Sequence, residues 1–251
     1  MPPQHTQQRS GLQTVRAWWA AVIAREGLAT ACRKFAAAVW EFAIDSTPQK
    51  KRSRYGDVDY DWDHRVNTTS GGLPWRERLL GTLYSPYQPT DPDSFHFMIA
   101  DWQRRTGANA AEFAFCDLGS GKGRTLLMAS DYPFRRIIGV ELLESLHTIA
   151  QENISNYRSD AKKCFALEAV CADAIDYPLP EGPLLLYLFN PFPEAGLRQV
   201  LSNLDARTRQ GGAAYVLYHN PVLEPVLAAS SSLLRIAGTH QYSIYAVNPR
   251  P

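Results

Sequence analysis

Asp117-Leu118-Gly119-Ser120-Gly121-Lys122-Gly123 is the stretch that decides the fold, because it joins an apolar run at residues 113–118 to a stretch of helical character. Glycines let the backbone turn sharply and approach a ligand without a Cβ in the way, and the start of a helix offers unpaired N–H groups. Such a turn at the carboxyl end of a strand is typical of a nucleotide-type pocket. Any tight strand-to-helix turn can contain two glycines, so the residues that follow the later strands have to support the prediction.

Strand and helix signals alternate from residue 95 onwards. The first of these elements is an entry helix, and Asp93 or Ser94, just ahead of residue 95, is its predicted cap. Apolar runs typical of strands lie at residues 113–118, 136–142, 165–171, 183–189 and 213–218, and helical stretches lie at residues 123–130, 146–157 and 195–206. Two last runs, 232–237 and 241–247, are close enough to form a hairpin. Alternation at such short intervals predicts a doubly wound, Rossmann-like α/β fold with a parallel sheet.

Polar side chains follow successive strands of this predicted sheet. Glu141 ends the second strand, 24 positions after Asp117, where a carboxylate can accept hydrogen bonds from both hydroxyls of a ribose. Asp173 follows the third strand and can accept from an adenine amino group, and Asn190 follows the fourth. Each residue alone is more often a surface charge or a helix cap. Four in order at one sheet edge indicate a site.

These residues resemble the class I S-adenosylmethionine (SAM)-dependent methyltransferases. The resemblance covers residues 113–221 and rests on the D-L-G-S-G-K-G turn, the G-V-E at 139–141, the A-D-A at 172–174 and the N-P-F at 190–192. It implies seven strands in the order 3-2-1-4-5-7-6, with the last strand antiparallel. It also implies that Glu141 binds the ribose of SAM, that Asp173 binds the adenine, and that Asp117 holds the amino group through water. The remaining residues that the resemblance places in the cofactor shell are Gly119, Ser120, Gly121, Gly123, Leu142, Ala174 and Asn190.

A second resemblance, upstream of the first strand, points to the acceptor class. Tyr87-Gln88-Pro89-Thr90 is similar to a Y-x-P-T segment of some protein-lysine methyltransferases of this class, and D-L-G-S-G looks like the turn of histone lysine methyltransferases without a SET domain. This resemblance adds Tyr87 and Thr90 to the cofactor residues and makes a protein lysine the expected acceptor. In two places the sequence departs from known patterns. One proline follows Asn190 where members acting on bases or glutamine have two, and Arg124 replaces the third glycine of the dinucleotide fingerprint.

The methyl end of the site is predicted at the carboxyl end of the fourth strand. The Asn190 side-chain oxygen and the Pro191 carbonyl can accept two N–H bonds from an amine, while the Phe192 ring walls off the site. His219, at the end of the fifth strand, is the candidate base for a lysine ammonium, although a lone histidine is more often structural. The six histidines are dispersed, so no metal site is expected.

Charge divides the chain into three predicted segments. Residues 1–54 form a basic, amphipathic helical extension with nine basic and three acidic side chains, residues 55–110 a loop-rich cap with an entry helix, and residues 111–251 the SAM-binding core. The helices within residues 13–45 are expected to pack on the rest of the protein or, alternatively, to contact a membrane surface or a partner. The basic run at residues 50–54 is read as a solvated linker, so a nucleic-acid partner is disfavoured.

Composition agrees with an ordinary globular protein. The 251 residues carry a net charge of +1, with 45% hydrophobic residues and four cysteines that form no C-x-x-C pair, so a reducing, cytoplasmic location is expected. Three alternatives to lysine methylation stay open at this point. They are methylation of a small-molecule or nucleobase amine, a non-catalytic SAM-binding interaction module, and a nicotinamide oxidoreductase.

Overall fold

The computed structural model describes residues 23–24, 27–29, 32–33, 36, 58–69, 88–209 and 211–247. The chain divides into two units, Met1–Gly56 with Ser70–Tyr87, and Asp57–Thr69 with Gln88–Pro251. All helices and strands numbered below belong to the second unit. The predicted domain boundaries at residues 54 and 110 stay predictions.

The second unit alternates helices and strands along most of its length. Its helices are α1 (Val58–His64), α2 (Pro92–Thr106), α3 (Arg124–Ala129), α4 (Glu144–Asn156), α5 (Glu194–Thr208) and α6 (Glu224–Ala228), and a 3₁₀ turn lies at Ala110–Glu112. Its strands are β1 (Ala114–Leu118), β2 (Arg136–Glu141), β3 (Leu167–Cys171), β4 (Leu184–Phe189), β5 (Ala214–His219), β6 (Leu233–Gly238) and β7 (Tyr242–Val247).

The strands form one sheet in the order β3-β2-β1-β4-β5-β7-β6. Strands β1 to β5 pair in parallel, whereas β7 is antiparallel to both β5 and β6. The predicted fold class, the strand order and the C-terminal hairpin are thereby confirmed. Because parallel strands end at the same edge, the loops after β1, β2, β4 and β5 lie together there.

Both faces of the sheet are buried, which explains why its central strands read as continuous apolar runs. In β4, Leu184, Leu186 and Leu188 pack into one cluster, and Leu185 and Tyr187 pack into the other. Helix α5 covers the first cluster with Leu197, Val200, Leu201 and Leu204, and α2 covers the second with Phe95, Met98, Ile99 and Trp102. The buried sheet therefore holds the strand ends on a rigid support.

Two local features differ from the sequence-based expectation. The segment predicted to be loop-rich contains helix α1, whose three aspartates alternate along the helix and so give no apolar stripe in the sequence. Helix α2 begins at Pro92, and its cap is Asp91, whose carboxylate accepts the Ser94 N–H at 2.9 Å. The predicted caps Asp93 and Ser94 are wrong because both residues already lie inside the first turn, after a proline at N1.

Little of the predicted N-terminal helical extension falls within the described residues. Residues 23–24, 28–29, 32–33 and 36 are helical, and Gly27 has a positive φ of 84°. The basic run at residues 50–54 and Tyr87 lie outside the described residues. Contact of residues 13–45 with a membrane or a partner stays a prediction, and no helix in the described parts of the chain is long and apolar enough to cross a membrane.

Candidate functional site

The turn after β1 folds back over the end of β2. The backbone N–H groups of Gly119 and Ser120 donate to the Val140 carbonyl at 2.8 and 3.1 Å. Gly119 has a φ of 86°, and a Cβ added to it would lie 2.7 Å from the Pro191 Cβ. Glycine is therefore required here both by the left-handed backbone and by the close approach of the loop that follows β4.

Asp117, near the end of β1, has one carboxylate oxygen without a partner. Its Oδ2 accepts from the Thr125 hydroxyl, while its Oδ1 is buried and makes no hydrogen bond. Burial, reinforced by the nearby Glu141 carboxylate, raises the pKa of Asp117 to about 7 against the pull of the Thr125 hydrogen bond. The buried Ser120 hydroxyl also lacks a partner. Buried polar groups are normally hydrogen-bonded, so these two atoms fit a polar ligand at this turn.

Glu141 ends β2 and is buried. Its Oε2 accepts the Gly121 N–H and its Oε1 accepts the Leu143 N–H, both at 2.8 Å. Burial raises the pKa of the carboxyl, and these backbone hydrogen bonds oppose the rise. Each carboxylate oxygen has a second lone pair, so Glu141 can hold the turn and still accept from two hydroxyls.

The loop after β3 places Asp173 and Ala174 beyond the same edge. The Ala172 N–H donates to the Glu141 carbonyl at 3.0 Å, which ties this loop to the end of β2. Asp173 is exposed, and its Oδ1 accepts the Ile175 N–H at 2.9 Å. Leu142 is 38% exposed beside this loop, whereas the Ala174 side chain packs in the core. Of Ala174, only the backbone is therefore left to face a ligand.

The N-P-F segment begins directly after β4. Asn190 has a positive φ of 48°, and its Oδ1 accepts the Tyr218 hydroxyl at 2.9 Å. Pro191 lies against Gly119, as described above. Phe192 is half-buried and packs against the core cluster on the α5 face. The loop after β4 is thus joined to β5 through Asn190 and to the turn after β1 through Pro191.

A second polar chain links Thr90, just before α2, to the end of β5. The buried Thr90 hydroxyl lies 3.0 Å from the Tyr187 hydroxyl, which lies 2.9 Å from His219 Nδ1. The His219 ring stacks on Phe189 with ring centroids 4.1 Å apart. Burial lowers the pKa of His219 to about 4, although Asp91 opposes this shift. His219 is therefore neutral near pH 7, and a group of such low basicity is a weak acceptor for an ammonium proton.

Sequence reasoning missed Tyr187, Lys122 and Arg124. Tyr187 could have been found as the one polar side chain in the apolar run of β4. Lys122 lies in the turn and Arg124 begins α3, and both contact the segment of residues 58–69, which we name the strap. Within the described ranges, no group of three or more His, Cys, Asp or Glu residues is arranged to hold a metal ion.

Comparison with known proteins finds similarity among solved structures. No protein-family model matches the chain, and no curated protein matches it. The N-methyltransferase NodS from Bradyrhizobium japonicum is 11% identical, aligning 64% of this chain with 100% of its own at a TM-score of 0.45. An RNA methyltransferase from Salinibacter ruber, solved with S-adenosyl-L-homocysteine, is 17% identical, aligning 65% of this chain with 96% of its own at a TM-score of 0.41.

A third similar structure is a TehB-like SAM-dependent methyltransferase from Corynebacterium glutamicum. It is 13% identical, and the alignment covers 64% of this chain and 100% of that chain at a TM-score of 0.40. The identities of all three structures are low and their TM-scores lie below 0.5. We therefore take the function of the chain from its own residues.

Proposed function

We propose that the protein is an enzyme that transfers a methyl group from SAM to an amino group, with a protein lysine as the favoured acceptor. The observation that carries this proposal is the pair of acidic side chains at the ends of β1 and β2. Asp117 has a buried, unpartnered oxygen, and Glu141 has acceptor capacity left on both oxygens. They stand at one edge of a sheet with the order 3-2-1-4-5-7-6.

These residues match the polar groups of SAM. The unpartnered Asp117 Oδ1 suits a cationic amino group, since a positive charge there would relieve the cost of burying the carboxylate. Glu141 suits the two ribose hydroxyls, and Asp173 at the next loop suits the adenine amino group. When bound, SAM supplies a methyl group activated by a sulfonium, so the protein's main contribution is to bind and orient both molecules.

Asn190 is the residue that we assign to orienting the acceptor amine. Its Oδ1 accepts one hydrogen bond from Tyr218 and has a second lone pair for an amine N–H. Its left-handed backbone, held between β5 and the Gly119 turn, fixes where this oxygen lies. His219 is better suited to holding this edge of the site than to removing a proton, because of its low pKa and its Tyr187 hydrogen bond.

One electrostatic feature supports a cationic acceptor such as lysine. Asp91 is exposed at the start of α2, and its charge acts on His219 at the end of β5. A carboxylate beside the methyl end would attract a lysine side chain as it approaches. The similarity of residues 87–90 to the Y-x-P-T segment of lysine methyltransferases points the same way.

The decisive experiment measures methyl transfer from labelled SAM to lysate proteins, with protease and nuclease treatments to identify the acceptor class and hydrolysis to detect methyl-lysine. Asn190→Ala should lower turnover by about 100-fold while changing SAM affinity by less than about threefold. Tyr218→Phe is the matched control, because it removes the same Asn190 hydrogen bond but leaves the Asn190 oxygen in place. Equal losses in the two variants would show a structural role for Asn190, and a wild-type protein that binds no SAM would refute the proposal.

A further inference from the structure

Two buried cations, Lys122 in the turn after β1 and Arg124 at the start of α3, contact the strap. Lys122 is 0% exposed and Arg124 is 1% exposed. Burying a cation is costly unless it is paired and hydrogen-bonded. Groups of the strap, residues 58–69, compensate both charges from more than 50 positions earlier in the chain.

Lys122 is held by the end of the strap. Its Nζ donates to Asn67 Oδ1 at 3.0 Å and to the Thr69 carbonyl at 2.7 Å. Asn153 of α4 completes the connection, since its Nδ2 donates to the carbonyls of both Lys122 and Asn67, and its Oδ1 accepts the Asn67 N–H at 2.7 Å. Burial lowers the pKa of Lys122 to about 8, and Asp61 opposes that shift.

Arg124 is held by both the helix and the end of the strap. Its Nε donates to the Thr68 hydroxyl at 2.6 Å, and its Nη2 lies 3.4 Å from Asp61 Oδ1. Its guanidinium also lies over the Tyr60 ring, 4.7 Å from the centroid. The Asp61 carboxylate in turn accepts the N–H groups of Thr68 and Thr69 at 2.7 and 2.9 Å, so one carboxylate both closes the strap and pairs with the turn.

The turn that carries Lys122 is also bonded to Glu141 of the proposed cofactor site. Gly121, between Ser120 and Lys122, donates its N–H to Glu141. Loss of the strap would remove hydrogen-bond partners from two buried cations, which favours rearrangement of the segment that carries them, and the backbone that positions Gly121 would move with it. The conformation that suits the cofactor is therefore the conformation that the strap stabilises.

We infer that the strap is a positioning element of the cofactor site, acting through Lys122 and Arg124, and that strap docking and SAM binding stabilise each other. This inference rests on the proposed function in taking SAM as the ligand. Thermodynamic linkage requires the effect to be reciprocal. A ligand bound at the turn should slow amide exchange in the strap, and a strap that docks less stably should lower the affinity for the ligand.

Hydrogen–deuterium exchange of the Thr68 and Thr69 amides, together with calorimetric binding of S-adenosylhomocysteine to the full chain, tests both directions. In the wild-type protein the ligand should slow exchange of these amides about tenfold or more. Asp61→Ala should speed their exchange without ligand and weaken binding about tenfold or more, and the conservative Asp61→Asn should restore part of both effects. Glu224→Gln, which breaks the Arg235 ion pair at the far edge of the sheet, is the control and should match the wild type.

The outcomes separate this inference from the proposed function. Unchanged ligand affinity in a folded Asp61→Ala protein whose strap amides exchange rapidly would overturn the inference. The inference would also be overturned if, without ligand, those amides exchanged at the same rate in Asp61→Ala as in the wild type. If Asp61→Ala does not fold, Thr68→Val removes the hydroxyl that accepts from Arg124 Nε and donates to Asp61, without changing any charge, and the same two measurements are made on it. Wild-type protein that binds no ligand refutes the proposed function, and linkage to SAM falls with it.

Discussion

Asp117→Asn should make the protein more stable at alkaline pH while lowering its affinity for S-adenosylhomocysteine. The Asp117 carboxyl is buried, and its pKa is raised from 3.8 to about 7. Because the folded pKa lies above the unfolded one, the folded state holds the proton more tightly. The contribution of Asp117 to the free energy of unfolding is therefore highest below pH 3.8, falls as the pH rises towards 7, and stays low above it.

The size of the effect follows from the pKa change. A rise of this size corresponds to roughly 4 kcal/mol of cost for the ionised carboxyl in the folded state. Asparagine carries no such cost, but its amide NH₂ group has to take the place of one carboxylate oxygen. At the Oδ1 position this donor is buried without an acceptor, and at the Oδ2 position it faces the Thr125 hydroxyl, which is itself a donor there. Either orientation carries a pH-independent penalty of about 1–3 kcal/mol. The pH dependence of the difference between the two proteins is thus the quantity to measure.

Urea unfolding of both proteins from pH 5 to pH 8 measures this difference. We expect the unfolding free energy of Asp117→Asn, relative to that of the wild type, to rise by about 2–3 kcal/mol from pH 5 to pH 8. Titration of His219 and Lys122 is common to both proteins and cancels. Calorimetry above pH 7 should show S-adenosylhomocysteine bound at least about tenfold more weakly by the variant, because the charged partner of the amino group is gone. A constant stability difference across the range would refute the reasoning.

Two substitutions and one titration test separate parts of the site. Glu141→Ala should weaken the binding of S-adenosylhomocysteine by about 2 kcal/mol or more in calorimetry. It should also lower the free energy of unfolding, since the Gly121 and Leu143 N–H groups lose their acceptor. Unchanged affinity in a folded variant would contradict this. Gly119→Ala should cost about 1–3 kcal/mol in urea unfolding, because of its positive φ and the Pro191 contact, and a neutral result would show that the loop yields. The His219 imidazole should titrate in NMR spectra with a pKa of about 4, and titration near 6.5 would show that burial does not act as described.

The sheet could be predicted from sequence because its strands are buried on both faces and its loops carry local signals. The seven apolar runs therefore appear within one or two residues of the observed strands. Helix α1 could not be predicted in this way, since Val-Asp-Tyr-Asp-Trp-Asp-His has no helical apolar stripe and its Asp61 is paired with Arg124. The Asp91 cap was missed because Asp93 and Ser94 are equally good capping residue types, and only the backbone distinguishes them.

The site shows the same division between local and distant information. The positions of Asp117 and Glu141 at the ends of adjacent strands follow from one turn and one spacing. The links from Thr90 to Tyr187 and from Thr68 to Arg124 join residues 97 and 56 positions apart, and no short sequence pattern encodes them. The role predicted for His219 depended on its basicity, which is set by burial between distant elements and cannot be read from residue spacing.

The antiparallel β7 has a consequence for the order in which the chain is made. Strand β5 is paired on one side with β4 as soon as both exist, but its other neighbour in the sheet is β7, which comes after β6. Until residues 242–247 leave the ribosome, β5 presents an open edge next to His219, and β6 has no place in the sheet. The loops of the candidate site can thus assemble on a five-strand sheet during synthesis, and a chain stalled before β7 is the species most exposed to pairing with another chain.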